Sequence, residues 1–136
     1  DKLRMSGVGV SSQVLEALRQ HAARAHPREC CGLLLGQGTT IATALPAANV
    51  HPAPHTHFEI DPQALVDAHR QARSGGPQVL GHYHSHPTGA IEPSATDRAQ
   101  AAHDGAIWAI VAGDAIGWWL DAPDGFTRLP YATIEA

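Results

Sequence analysis

Apolar residues recur along this chain with two periods, and the switches between them divide it into elements. Gly7 to Val10 reads as a short strand. Ser11 or Ser12 can then cap a helix, in which Val14, Leu15, Leu18, Ala22 and Ala25 recur every three or four residues until Pro27. From Glu29 to Gly36 the pattern changes. Cys30, Cys31, Leu33, Leu34 and Leu35 leave no polar face, as in a strand covered on both sides. Gly36-Gln37-Gly38 supplies a turn into a second strand, Thr39 to Leu45. Pro46 to Pro54 is without period and reads as loop, and His55 to Ile60 as another strand. Asp61-Pro62 is a strong helix start, with Asp as cap and Pro in the first turn. That helix is expected to run to about Arg73, where Ser74-Gly75-Gly76-Pro77 breaks it.

Gln78-Val79-Leu80 then opens a strand that continues through Gly81-His82-Tyr83-His84-Ser85-His86 and ends at Pro87, which cannot donate to a ladder. A third helix is expected from Ser94 to about His103, stopped by Asp104-Gly105. Ala106 to Ala112 and Ile116 to Leu120 form two strands around Gly113-Asp114-Ala115, and Phe126 to Leu129 adds a short edge strand. Three helices interleaved with six to eight strands predict a layered α/β or α+β fold with a mixed sheet. At 136 residues the chain reads as one domain, 1–136, with residues 1–4, before Met5, as a cloning remnant.

Charge and composition narrow the function. A formal net charge of -4 with a single lysine provides no basic stripe for a phosphate backbone, so nucleic acid is not an expected partner. The apolar runs fall far short of the roughly 20 residues that a membrane span requires, and the N-terminus has no signal pattern. The expected location is therefore cytoplasmic. Cys30 and Cys31 are adjacent, so a disulfide between them would be strained and buried free thiols are expected. One ring of Trp118-Trp119 is expected to face away from the core, either marking a homodimer or substrate surface or packing under a terminal segment.

The chemistry concentrates in Gly81 to Asp97. In a strand, residues i and i+2 share a face, so His84 and His86 can present two imidazoles to one point, with Asp97 as a third ligand from the next element. Two nitrogens and a carboxylate leave one tetrahedral position open, as a catalytic zinc site requires. His55-Thr56-His57 has the same spacing but no carboxylate following it at a suitable turn, and reads as partly exposed histidines; His82 reads as a neighbour of the site. Ser94-Ala95-Thr96-Asp97 also resembles a capping box with Asp in place of Glu, which alone could explain both of its polar ends. Glu29, a carboxylate at the mouth of an apolar strand, is the best candidate general base, with Glu59 and Glu92 as rivals.

His84-Ser85-His86-Pro87, six residues, Ser94, two residues and Asp97 reproduce the signature of the JAMM (MPN+) metallopeptidases, and Arg28 to Gly36 is similar to the segment that carries that family's upstream glutamate. The similarity extends through Asn49 and Phe58-Glu59-Ile60-Asp61-Pro62. The resemblance implies a curved mixed sheet flanked by helices, related to cytidine deaminases. It implies Zn²⁺ held by His84, His86 and Asp97, with Glu29 as base and then acid and the Ser94 hydroxyl steadying an oxyanion. It further implies hydrolysis of a peptide or isopeptide bond, with the C-terminal tail of a ubiquitin-like or sulfur-carrier protein as substrate, as in compact bacterial members. The other readings are a metal-free MPN scaffold that only binds a partner, a DNA-repair-associated relative, and a peptidase of phage-tail or cell-wall peptides.

Overall fold

The computed structural model describes residues 7–135; the four residues before Met5 lie outside the described residues. The chain forms β1 (Val8–Ser11), α1 (Ser12–Ala25), β2 (Cys31–Gln37), β3 (Thr40–Ala47), α2 (Pro62–Arg73), β4 (Gln78–Ser85), α3 (Ala95–Gln100), β5 (Ile107–Ala112), β6 (Ala115–Ala122), β7 (Gly125–Arg128) and β8 (Tyr131–Ile134). The strands make one eight-stranded mixed sheet in the order β7-β6-β5-β4-β2-β3-β1-β8. The β1–β3, β1–β8 and β4–β5 pairs are parallel, and the others antiparallel. This is the α+β arrangement that the alternating periods predict.

Helices cover both faces of the sheet, and strand alternation assigns each side chain to one of them. On one face Leu34, Tyr83, Ile107, Ala109, Val111 and Trp118 pack against Val14, Leu15 and Leu18 of α1. On the other, Cys31, Leu33 and Leu35 meet Leu65 and Ala68 of α2. Full burial of a side chain such as Leu34 contributes about 1.5–3 kcal/mol, so these two layers supply the bulk of the stability. Both helix starts follow from the sequence. Ser11 Oγ accepts from the Val14 amide at 3.2 Å, and Asp61 Oδ1 accepts from the Gln63 amide at 3.2 Å. Cys30 and Cys31 are buried free thiols. Among the described residues no helix is long and apolar enough to cross a membrane.

The structure corrects five expectations. His55 to Ile60 is not a strand; only an isolated bridge between Asn49 and Ile60 forms, because the Asn49 side chain satisfies main-chain groups that a ladder would otherwise take. Strand β3 continues through Pro46 to Ala47. Its neighbour β1 reaches only Thr40 and Ile41, so at Pro46 that edge is free and the missing N–H costs nothing. Helix α3 stops at Gln100, short of His103, whose amide donates to the buried carboxylate of Asp121 at 3.0 Å. Trp118 and Trp119 lie on opposite faces, and both are buried. Trp118 packs in the α1 layer, while Trp119 packs with Trp108 and donates its indole N–H to the Ile91 carbonyl at 2.9 Å. The pair therefore offers no exposed dimer or substrate surface, and packing under a terminal segment is the reading that holds, with Trp118 5.8 Å from the Tyr131 ring of β8. Finally, Tyr131–Ile134 adds an edge strand beside β1 that no periodic pattern announced.

Gly81 explains how closely β4 and β5 approach. A Cβ added there would collide with the Ile107 carbonyl and lie 2.7 Å from its nitrogen. Gly38, in the β2–β3 turn, has φ +60 and open space around it. Gly81→Ala is therefore expected to cost about 3 kcal/mol or more by overpacking against backbone, and Gly38→Ala only about 1 kcal/mol from its left-handed φ. Denaturant unfolding of the two variants checks this, and equal losses would contradict the packing account.

Candidate metal centre

Strand β4 changes phase at the irregularity opposite Leu34 and Leu35: before it Val79 packs on the α2 face and Leu80 on the α1 face, and after it His82 and His84 turn to the α2 side, against Phe58, while Tyr83 takes the other. Strand β4 ends at Ser85, but the His86 amide donates to the Val111 carbonyl at 2.8 Å, so the β4–β5 pairing extends one residue further and keeps His86 in phase. The Nε2 atoms of His84 and His86 stand 3.1 Å apart. Asp97 Oδ2 lies 3.2 Å from the first and 3.1 Å from the second. Three ligand atoms bound to one tetrahedral zinc at about 2.0–2.1 Å would be separated by about 3.3–3.4 Å. The three ligand atoms are thus spaced close to what one ion would require, and these residues form a group that could hold a metal ion.

The surroundings orient each ligand. His86 Nδ1 faces the Ala90 carbonyl at 2.7 Å. A carbonyl only accepts, so Nδ1 carries the proton and Nε2 is left with its lone pair toward the site. His84 is fully buried and its Nδ1 has no partner among the described residues. Its ring is fixed by aromatic contact instead: Phe58 stacks on it with centroids 4.3 Å apart at 17°, and Trp108 meets it edge-on at 5.8 Å. Asp97 is held through the helix start. Ser94 N–H donates to Asp97 Oδ2 at 2.9 Å and Asp97 N–H donates to Ser94 Oγ at 3.0 Å, a complete capping box. The capping reading thus holds for both residues, and it does not prevent Asp97 from facing the histidines. One carboxylate closes the cap and faces both imidazoles.

Electrostatics follow from this packing. Burial alone would raise the Asp97 pKa, but hydrogen bonds with His84 and His86 and from the Ser94 amide hold it well below the usual carboxylate range. Burial pushes His84 down, outweighing the attraction of Asp97. His86 is also opposed by burial, yet the bonds to Asp97 and the Ala90 carbonyl raise it. Glu29, immediately ahead of β2, is buried and is pushed up to about 7 by desolvation, partly offset by the charge of His86. It lines the same cleft of about 530 Å³ as Asp97, together with Phe58, His82 and Trp108.

Of the other candidates, His57 stacks on His51 at 4.7 Å in the cleft wall, while His55 is exposed and joins no metal-binding group. His82 packs against Trp108 with ring centroids 4.3 Å apart at a tilt of 58° and remains a neighbour of the three ligand candidates. Glu59 is exposed on the cleft wall, and Glu92 is exposed and outside the lining. Sequence reasoning missed Phe58, Trp108 and Ser85 as supports. Ser85 Oγ accepts the Cys30 N–H at 2.8 Å, and its own N–H donates to the Cys30 carbonyl at 3.1 Å, fastening the segment after Glu29 between the two histidines. The serine between the histidines in the motif was the available signal for that role.

Residues 11–124 match the family described as prokaryotic homologs of the JAB domain. The chain is 37% identical over 103 residues to the desampylase of Haloferax volcanii, covering 74% of each chain. It is 39% identical over 88 residues to a probable TtuB-protein conjugate cleaving protease of Thermus thermophilus, covering 65% of this chain and 59% of that protein. The solution structure of a Desulfitobacterium hafniense protein, 28% identical, superimposes over 95% of this chain and 94% of its own with a TM-score of 0.83. Matched over most of its length in sequence and in fold, with His84, His86 and Asp97 of that signature meeting at one point, the chain belongs to the compact prokaryotic branch of the JAB, or JAMM/MPN+, family.

Proposed function

We propose that this chain is a zinc-dependent isopeptidase that hydrolyses the amide joining the C-terminal tail of a ubiquitin-like or sulfur-carrier protein to an amine. The observation that carries the reading is the spacing of His84 Nε2, His86 Nε2 and Asp97 Oδ2, within 3.2 Å of one another, with Asp97 lining a cleft that Glu29 also lines. The relatives' names, a desampylase and a conjugate cleaving protease, support the substrate class.

His84, His86 and Asp97 would hold the ion. Zinc, when bound, supplies a Lewis acid that polarises a carbonyl and brings the pKa of water toward about 7. Glu29, with a pKa near 7, takes a proton from the attacking water as the new C–O bond forms, and returns it to the amine nitrogen as the C–N bond breaks. A carboxylate with an ordinary pKa would be a weaker base for the first transfer and a poorer donor for the second. Ser94 Oγ accepts the Asp97 N–H in the cap, which uses a lone pair and leaves the hydroxyl hydrogen for the oxyanion of the tetrahedral intermediate. Half-buried Phe58 and buried Trp108 pack on the His84 ring and take it out of water on that side.

A ubiquitin-like protein with a C-terminal Gly-Gly joined to a lysine side chain is the direct substrate test. The zinc-loaded protein is expected to release the amine, a chelator to abolish turnover, and added zinc to restore it. Glu29→Gln should lose about 10²–10⁴ in kcat while retaining one zinc per chain, and Ser94→Ala about 10²–10³. Turnover by Glu29→Gln equal to the parent would remove Glu29 from the proton transfers.

Glu29 also predicts a pH signature independent of substrate. Its folded pKa, about 7, lies above its ordinary value of 4.5, so the folded protein retains the proton that the unfolded chain releases. Stability is thus fully present below about 4.5 and falls as pH rises toward 7, by up to about 3 kcal/mol. In metal-free protein, Glu29→Gln should match the parent in unfolding free energy near pH 4 and exceed it at pH 8. A variant less stable than the parent at pH 8 would show that the Glu29 charge is not desolvated.

A further inference from the structure

Residues 49–60 carry most of one wall of the cleft without forming regular structure, and a single side chain holds them. Asn49 Nδ2 donates to the carbonyls of Glu29 and His57, each at 3.0 Å. Asn49 Oδ1 accepts the N–H groups of His51 and Glu59, each at 3.1 Å. Both donors and both acceptor positions are used, and the partners fix the orientation of the amide, since carbonyls face only its nitrogen and N–H groups only its oxygen. Around this centre the Glu29 amide donates to the Pro54 carbonyl at 2.7 Å, Val50 to Glu59 at 2.9 Å and Asp61 to Ala48 at 3.1 Å. The segment therefore closes on itself and on the main chain of Glu29.

We infer that Asn49 is a positioning residue of the reaction: it fixes the backbone of Glu29 and, through the 51–59 segment, the stacking of Phe58 on the His84 ring. The inference rests on the reading of Glu29 as the proton carrier. Its physical basis is that Glu29 precedes β2 and has no ladder partner of its own. Its amide goes to Pro54 and its carbonyl to Asn49, so its register relative to the histidines depends on these bonds and on the Ser85 clasp at Cys30. The same amide also restrains the backbone on both sides of Phe58, whose ring is what holds a His84 imidazole lacking a partner at Nδ1. Ion and base are thus referenced to one side chain that is not required to touch either. Asparagine is needed, because aspartate would place a second acceptor oxygen against two carbonyl oxygens.

Asn49→Asp keeps the size and both accepted bonds and removes both donated ones. In the zinc-loaded protein it is expected to lower kcat about 10–100-fold, with KM changed less than about threefold. Its loss should exceed any fall in folded fraction, measured by near-ultraviolet circular dichroism at the assay temperature. Asn49→Ala, which removes all four bonds, should lose at least as much, and Phe58→Leu should weaken zinc binding about tenfold without the same loss of kcat at saturating zinc. Hydrogen exchange of the backbone amides of Glu29, His51 and Glu59 provides a readout that needs no substrate, and protection of all three should fall at least tenfold in Asn49→Ala, which removes the acceptor of the last two and the bond to the Glu29 carbonyl. An unchanged kcat, or a loss that matches the unfolded fraction, overturns the positioning role. If the parent protein cleaves no conjugate, the proposed activity fails by itself, and unchanged exchange at the three amides would separately overturn the role of Asn49.

Discussion

The rest of this structure depends on holding two imidazole nitrogens and a carboxylate oxygen within 3.2 Å of one another inside a folded protein. The shifts reflect that packing: burial drives the His84 pKa down, whereas hydrogen bonds with Asp97 and the Ala90 carbonyl raise that of His86, and both imidazoles help to hold Asp97 well below the usual carboxylate range. Every surrounding element constrains this geometry. Strand β4 sets the histidine phase, the α3 cap sets the carboxylate, and Phe58 and Trp108 hold the ring that lacks a hydrogen-bond partner.

The two faces of the sheet divide the work. The α1 face is almost wholly apolar and carries the largest continuous layer, from Val8 through Trp118. The α2 face combines two smaller apolar groups with the cleft between them, where His82, His84, Glu29 and Asp97 lose contact with bulk water. Desolvated titratable groups oppose folding, and the apolar face offsets them. Gly81 belongs to this arrangement, since only a residue without a side chain lets β5 approach β4 closely enough to bring Ile110 and Trp108 beneath the site.

Much of this was legible in the sequence, for identifiable reasons. Helices α1 and α2 and the β2–β3 hairpin are local objects, specified by period, cap and turn residues, and they were read nearly to their ends. The spacing of His84 and His86 was legible because strand alternation is a local rule. What the sequence withheld depends on partners distant along the chain. The cooperation of Ser94 and Asp97 as cap and as part of the cluster is one such case, since each role explains the residues equally well in isolation. The 55–60 segment has a strand-like composition, yet a side chain more than five residues upstream takes its hydrogen bonds. Trp118 and Trp119 looked half-exposed because alternation places one ring on each face, and no local rule says that both faces are covered. Helix α3 ends early because of Asp121, eighteen residues beyond His103.

The central claim is that His84, His86 and Asp97 bind one catalytic zinc ion with an open position. X-ray absorption at the zinc edge, on protein loaded with one equivalent of zinc, tests it most directly. The account predicts a first shell of nitrogen and oxygen only, at about 2.0–2.1 Å, with the outer scattering of two imidazoles and loss of the bound metal in Asp97→Ala. A sulfur shell at about 2.3 Å, which would place Cys30 or Cys31 on the metal, or a third imidazole in the shell, would contradict it.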